Sequence, residues 1–271
     1  MRRRLLALSV VLALVFVGVA CGDDSDSNKA DTTSTTQSTA AKDTLEGEIV
    51  VSAAASLTEA FDEIAKDFET AHPGVEVSPD YGPSSGLSDD ILAGKPSDIF
   101  ASADQTNMQK LVDGKAVDAG APKVFARNRP EMAVPKGNPG GVKGLADFAK
   151  SDLDIGLCAA DVPCGKFARQ VLDQAGITPS VDTNEVDVKS LLGKIESNDL
   201  DLGMVYHTDV VAAGDQVEGI EIPDDQNVIA VYPIAALKDS KNQDVAEAFA
   251  AYVASPAAQS VLEKFGFLPP S

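Results

Sequence analysis

From Gly47 onward, short β-branched runs alternate with segments of helical periodicity, a pattern that points to parallel sheets covered by helices. Ile49-Val50-Val51 reads as a strand, after which Leu57, Ala60, Phe61, Ile64, Ala65 and Phe68 recur at the spacing of one helix face. Val75 to Val77 is the next strand. A turn of Gly, Pro and Ser then leads into a short helix around Leu87 to Ala93, and Ile99-Phe100-Ala101 follows as a third strand. A second set of strands is expected at Met132 to Val134, Leu153 to Leu157 and Leu202 to Tyr206, with helices at Lys166 to Ala175 and Val188 to Glu196. Val245 to Phe265 is helical, broken where Pro256 follows Ser255. No internal sequence repeat is found.

Ahead of this body, Arg2, Arg3 and Arg4 precede an apolar run from Leu5 to Val17, and Gly18 and Ala20 lead into Cys21. That is the layout of an export signal, and the run is too short for a comfortable membrane span. Gly18-Val19-Ala20-Cys21 resembles a bacterial lipobox, in which the Cys is lipidated and becomes the new N-terminus. Gly stands where Leu is usual, so ordinary cleavage after Ala20 is the alternative. Residues 1–20 are therefore expected to be a signal peptide, and residues 21–46 a lipidated Cys followed by a polar tether too poor in apolar residues to fold. The protein would sit outside the cytoplasm, anchored to the outer face of the cytoplasmic membrane.

Charge narrows the partners. The 271 residues, enough for two ordinary domains, include 42 acidic and 22 basic side chains, a net charge of −20. Removing residues 1–20 takes away three Arg and no acid, which brings the charge to −23. Nucleic acid is excluded, because its phosphate backbone is bound mainly through Lys and Arg. Four Tyr, ten Phe and no Trp also disfavour a sugar site built on aromatic stacking. A small ligand is what remains.

In α/β sheets ligands bind beyond the carboxyl ends of the strands, where helix N-termini point. Four such junctions stand out. In Ser52-Ala53-Ala54-Ala55-Ser56-Leu57-Thr58-Glu59, Ser56 and Glu59 have the spacing of a capping box, and a capping Ser keeps its hydroxyl hydrogen free to donate outward. Tyr81-Gly82-Pro83-Ser84-Ser85-Gly86-Leu87 is a small-residue turn suited to close approach by an anion. It also matches the G-x-S-x-G nucleophile elbow, with His207 downstream, so a serine hydrolase acting through Ser84 is one alternative. At Cys158-Ala159-Ala160-Asp161-Val162-Pro163-Cys164-Gly165 a helix begins near Cys164, and two Cys flanking a short loop in an exported chain read as a disulfide. Asp187-Val188-Lys189-Ser190 opens a helix with Asp187 as its cap and the Val188 N–H facing out. Two thiols without further ligands do not make a metal site.

Together with Gly203-Met204-Val205-Tyr206-His207-Thr208-Asp209, these segments resemble the molybdate-binding proteins of bacterial molybdate ABC importers, from about Gly47 to the end. The resemblance is carried by Ala53 to Thr58, the Ser-Ser turn at Ser84, Pro96 to Asp104, Val162-Pro163-Cys164-Gly165, Gly203 to Tyr206, and Ala258-Gln259 through Phe267. It implies an α/β, two-lobed periplasmic-binding-protein type II fold, each lobe a mostly parallel sheet flanked by helices. Residues 47–127 with 232–271 would form one lobe and 128–231 the other. It further implies a non-enzymatic monomer that delivers molybdate or tungstate to a membrane permease, with no cofactor and no bare metal ion. The oxyanion would be held by the hydroxyls and N–H groups of Ser56 and Ser84, the N–H groups of Cys164 and Val188, and the Tyr206 hydroxyl. Ser85 competes with Ser84 for the second hydroxyl, and spacing to Leu87 favours Ser84. Hydroxyls and N–H groups alone suit a dianion without a proton, such as molybdate, tungstate or sulfate. The adjacent Tyr206 and His207 leave a ferric-ion-binding transport protein as a further alternative.

Overall fold

The computed structural model describes residues 45–271; the expected signal peptide, Cys21 and nearly all of the expected tether lie outside the described residues. The first lobe opens with β1 (Glu46–Ala54), α1 (Thr58–Ala71), β2 (Gly74–Gly82), α2 (Ser84–Leu92), β3 (Ile99–Ala101), α3 (Gln105–Asp113) and β4 (Lys123–Asn128). The second lobe holds β5 (Pro130–Pro135), β6 (Ile155–Cys158), α4 (Pro163–Gln174), β7 (Thr183–Glu185), α5 (Val188–Glu196), β8 (Leu202–Tyr206), α6 (His207–Ala213) and β9 (Val217–Ile220). The chain then returns to the first lobe with β10 (Ala230–Ala236), α7 (Gln243–Val253) and α8 (Pro256–Lys264). Strand β1 already begins at Glu46, the final residue of the stretch read as tether. No described helix is long and apolar enough to cross a membrane.

Both sheets have five strands, in the orders β2-β1-β3-β10-β4 and β7-β6-β8-β5-β9. Strands β1, β2 and β3 pair in parallel, as do β6, β7 and β8, while β10 and β5 run antiparallel to their neighbours. The sheets are thus mixed, where local alternation of strands and helices implied parallel ones. The antiparallel strands follow the crossings between lobes, at Arg129 and at residues 221–229, and a chain returning from the other lobe enters from the opposite end. The two sheets repeat one topology that no sequence repeat betrays.

Helix α1 buries Ala60, Phe61, Ile64, Ala65 and Phe68, the periodic face read from the sequence. Phe61 and Phe68 both meet Phe249 of α7, with ring centroids 6.3 and 5.2 Å apart, so a helix from the start of the described chain packs directly against one from its end. In the second lobe Leu191 and Ile195 of α5 pack over Gly156 and Gly203. An added Cβ at these glycines would come within 2.8 Å of Leu191 Cδ1 and 2.7 Å of Ile195 Cδ1 respectively. That close approach seats α5, and hence Val188 at its start, against the sheet.

Candidate functional site

The carboxyl ends of β1, β2, β6, β7 and β8 converge on one cavity between the lobes. Its cavity volume is about 20 Å³, and it is lined by Ser56, Ser84, Cys164, Val188 and Tyr206 among others. This lies below the roughly 300–1,000 Å³ typical of clefts for drug-sized ligands, so the site suits a small one. All five residues proposed from the sequence meet there. Ser85 is not in the wall: it is half-exposed and its carbonyl accepts from Ser88 Oγ.

Each helix start serves the cavity by leaving N–H groups without an intrahelical acceptor. Pro83 precedes α2 in extended conformation, which puts Ser84 at the first helical position. Helix α2 therefore starts three residues before the expected Leu87. Pro163 opens α4, where its missing N–H costs nothing, and Cys164 follows it. Asp187 caps α5 through Oδ1, which accepts from Ser190 N–H at 2.7 Å, and Val188 is the first residue of that helix. The aligned dipoles favour negative charge at such a point, typically by 0.3–1 kcal/mol each near a surface. Asp187 is the one carboxylate in the wall, and its cap bond takes up one of its oxygens.

The expected capping box at Ser56 is not formed. Residues Ala55–Leu57 make a 3-10 turn before α1, Leu57 occupies the capping position, and no side chain caps the helix. Ser56 Oγ instead pairs with the Tyr232 hydroxyl at 2.8 Å, and the Glu59 carboxylate reaches Lys189 Nζ at 2.8 and 2.9 Å. Both partners come from segments distant in sequence. Ser84 Oγ accepts from Ala103 N–H at 3.0 Å. Cys158 and Cys164 are disulfide-bonded, with Cα atoms 5.8 Å apart, which ties the start of α4 back to the end of β6.

Tyr206, the last residue of β8, is 2% exposed, and its hydroxyl is buried without a hydrogen-bond partner among the described residues. Burial, with the Tyr232 hydroxyl close by and the negative charge of Asp209 and Asp104, pushes this phenol well above its ordinary range, so it stays a neutral donor. A buried polar group left unpaired costs about 1–3 kcal/mol, and a ligand oxygen would remove that cost.

The alternatives rest on His207, whose Nδ1 pairs with Glu131 Oε2 at 2.6 Å. Its ring packs on Gly266, where an added Cβ would fall 3.0 Å from His207 Cδ2. His72 packs against Phe68, with ring centroids 4.5 Å apart and the planes tilted by 47°. Neither imidazole is bonded to Ser84 as a general base would be. Among the described residues no three His, Cys, Asp or Glu cluster as a metal site, and Tyr206 and His207 serve different surroundings.

Sequence reasoning missed Tyr232 and Asn128. Tyr232 lies on β10, a segment to which no strand was assigned from the sequence; the register shift against β4 between Tyr232 and Pro233 is what admits the proline.

Residues 49–268 match the family model of bacterial extracellular solute-binding proteins. The molybdate-binding protein ModA of Mycobacterium tuberculosis is 33% identical over 267 residues, 98% of each chain. That of Escherichia coli is 33% identical over 234 residues, 82% of this chain and 89% of the relative. Among solved structures, the periplasmic molybdate-binding protein of Azotobacter vinelandii superposes with a TM-score of 0.73 at 20% identity, covering 82% of this chain and all of that one.

Proposed function

The chain belongs to the bacterial extracellular solute-binding protein family, and we propose that it binds molybdate, and tungstate in the same site, for delivery to the permease of an ABC importer. The buried, unpartnered Tyr206 hydroxyl carries this reading. It faces a small cavity lined by three helix starts and two Ser hydroxyls, a set of donors matched to a tetrahedral dianion. Phosphate retains a proton at neutral pH and needs an acceptor, which the five donor residues do not supply; the one wall carboxylate, Asp187, is engaged through Oδ1 in capping α5. The donors at Ser56, Ser84, Cys164, Val188 and Tyr206 hold the anion by neutral hydrogen bonds, with no cofactor. Cys21 carries the lipid that keeps a monomeric protein at the membrane.

Thermal unfolding in the presence of oxyanions tests the reading. A ligand at 100 times its Kd stabilises by about 2.7 kcal/mol, roughly 5–10 °C for a domain of this size. Molybdate and tungstate should give shifts of this order, sulfate a smaller one and phosphate almost none. Equal shifts for phosphate and molybdate would refute the donor argument. Cys21→Ser should release the protein from the membrane fraction, and retention there would refute lipidation.

A further inference from the structure

Behind the cavity wall runs a chain of hydrogen bonds whose direction is set at its far end. Asn128, fully buried at the end of β4, accepts the Arg129 N–H on Oδ1 at 2.9 Å, which fixes the amide with its nitrogen facing inward. That Nδ2 donates to Thr208 Oγ1 at 2.8 Å and, more weakly at 3.4 Å, to the Tyr232 hydroxyl. Tyr232 OH in turn lies 2.8 Å from Ser56 Oγ. Either oxygen of this last pair could supply the bridging hydrogen, and the amide biases the choice. An N–H aimed at the Tyr232 oxygen occupies part of its acceptor capacity and so favours the arrangement in which Tyr232 gives its own hydrogen to Ser56. Ser56 Oγ is then occupied as an acceptor, and its hydrogen is left to point into the cavity. Ser84 reaches the same condition directly, because the Ala103 N–H on its Oγ can only donate.

We propose that Tyr232 is a positioning residue that sets the direction of the Ser56 hydroxyl hydrogen and so makes the site selective for oxyanions that carry no proton. The proposal rests on the oxyanion-binding reading of the site. Burial pushes the Tyr232 phenol up, against the pull of its Ser56 and Asn128 bonds, so it remains a neutral donor. Without that hydroxyl Ser56 is free to present either its hydrogen or a lone pair. A protonated oxyanion gains from the lone pair, while molybdate loses an oriented donor.

The test is a double-mutant cycle by calorimetry, with Tyr232→Phe made in the wild type and in Ser56→Ala, and with molybdate and hydrogen phosphate as ligands. In the wild-type background Tyr232→Phe should weaken molybdate about tenfold without weakening phosphate competition. In the Ser56→Ala background the same change should alter molybdate affinity less than twofold. Equal losses in the two backgrounds, or parallel losses for both anions, would show that Tyr232 acts by packing alone and overturn the proposal. If Tyr232→Phe does not fold, Asn128→Ala in the same two backgrounds carries the test, with at least a threefold loss expected in the first and none in the second. A wild type that fails to bind molybdate overturns the functional reading along with it, whereas a wild type that binds with additive losses overturns only the role of Tyr232.

Discussion

Lys189 of the second lobe holds both carboxylate oxygens of Glu59 of the first, at 2.8 and 2.9 Å, one residue beyond Val188 and three beyond Ser56. The same ammonium lies 3.3 Å from Asp209 Oδ1, which is fully buried. Burial by itself would lower the Lys189 pKa, and the carboxylates of Asp209 and Glu59 outweigh it and hold the ammonium above its ordinary value. For Asp209 the balance is reversed: burial wins over Lys189 and the Tyr206 N–H, and the carboxyl is pushed up. A second bond across the lobes joins Lys166 Nζ to Thr106 Oγ1 at 2.8 Å. Polar links between the lobes thus flank the proposed anion site.

The two partners of Lys189 predict different outcomes. Glu59 is partly exposed, so Glu59→Gln should cost no more than about 1 kcal/mol and speed ligand release by up to about fivefold in stopped flow. Lys189→Met strands the buried Asp209 carboxylate and should cost about 3–5 kcal/mol of stability at neutral pH. Because the folded pKa of Asp209 is raised, protonation of Asp209 favours the folded state. That contribution is full below the ordinary value of 3.8 and is lost as pH rises through the folded value. The deficit of Lys189→Met should therefore narrow as pH falls toward 3.8, and denaturant unfolding at several pH values would show whether it does.

Gly165 is predicted to be irreplaceable. An added Cβ would lie 1.9 Å from the Ala159 carbonyl oxygen and 2.6 Å from that of Cys158, both backbone atoms that the disulfide holds in place. Gly165→Ala must displace the start of α4. It should cost about 1–3 kcal/mol of stability, the range for overpacked sites, and weaken molybdate at least tenfold by moving the Cys164 N–H. An unchanged affinity would mean that this N–H is not part of the site.

The disulfide itself is expected to stabilise without contributing to recognition. It closes a short loop, six residues from Cys to Cys, worth about 2 kcal/mol in the chain-entropy model. Replacing Cys158 and Cys164 together by Ala should lower stability by about that amount in chemical denaturation, yet leave molybdate affinity within a few fold, since the contact proposed at Cys164 is its backbone N–H.

The junction residues were legible because a strand end, a helix start and a small residue coincide within a few positions, as at Gly82-Pro83-Ser84, or because a capping residue opens the helix, as at Asp187; the three-residue strand β7 ahead of Asp187 was not read. Long apolar-periodic helices such as α1 and α7 were legible for the reason that their buried faces are. What stayed hidden depends on chain return. Strand β10 carries a proline and pairs with strands more than a hundred residues earlier, so its placement beside β3, and with it the bond from Tyr232 to Ser56, has no local signature. The Ser56 capping box failed for the same reason, because both of its members found partners in segments the local pattern does not contain.

Tyr206 and His207 are neighbours in sequence with opposite roles, and one pair of variants separates binding from architecture. Tyr206→Phe removes a hydroxyl that has no partner among the described residues, so the apoprotein should be no less stable, and relief of an unpaired buried group favours a slight gain. Molybdate should bind more weakly by about 1–3 kcal/mol, the usual worth of a hydrogen bond to a charged group. His207→Ala does the reverse. It leaves Glu131, 4% exposed, without its imidazole partner at 2.6 Å, so the variant should lose about 1–3 kcal/mol of stability. The folded fraction should bind molybdate within about 0.5 kcal/mol of wild type, because the imidazole is directed to Glu131 and Gly266 rather than to the cavity. Calorimetry and thermal unfolding on both variants read the two effects separately. A serine-directed probe that labels Ser84 in the wild type and not in His207→Ala, with molybdate binding insensitive to Tyr206→Phe, would instead make this cavity the site of a hydrolase.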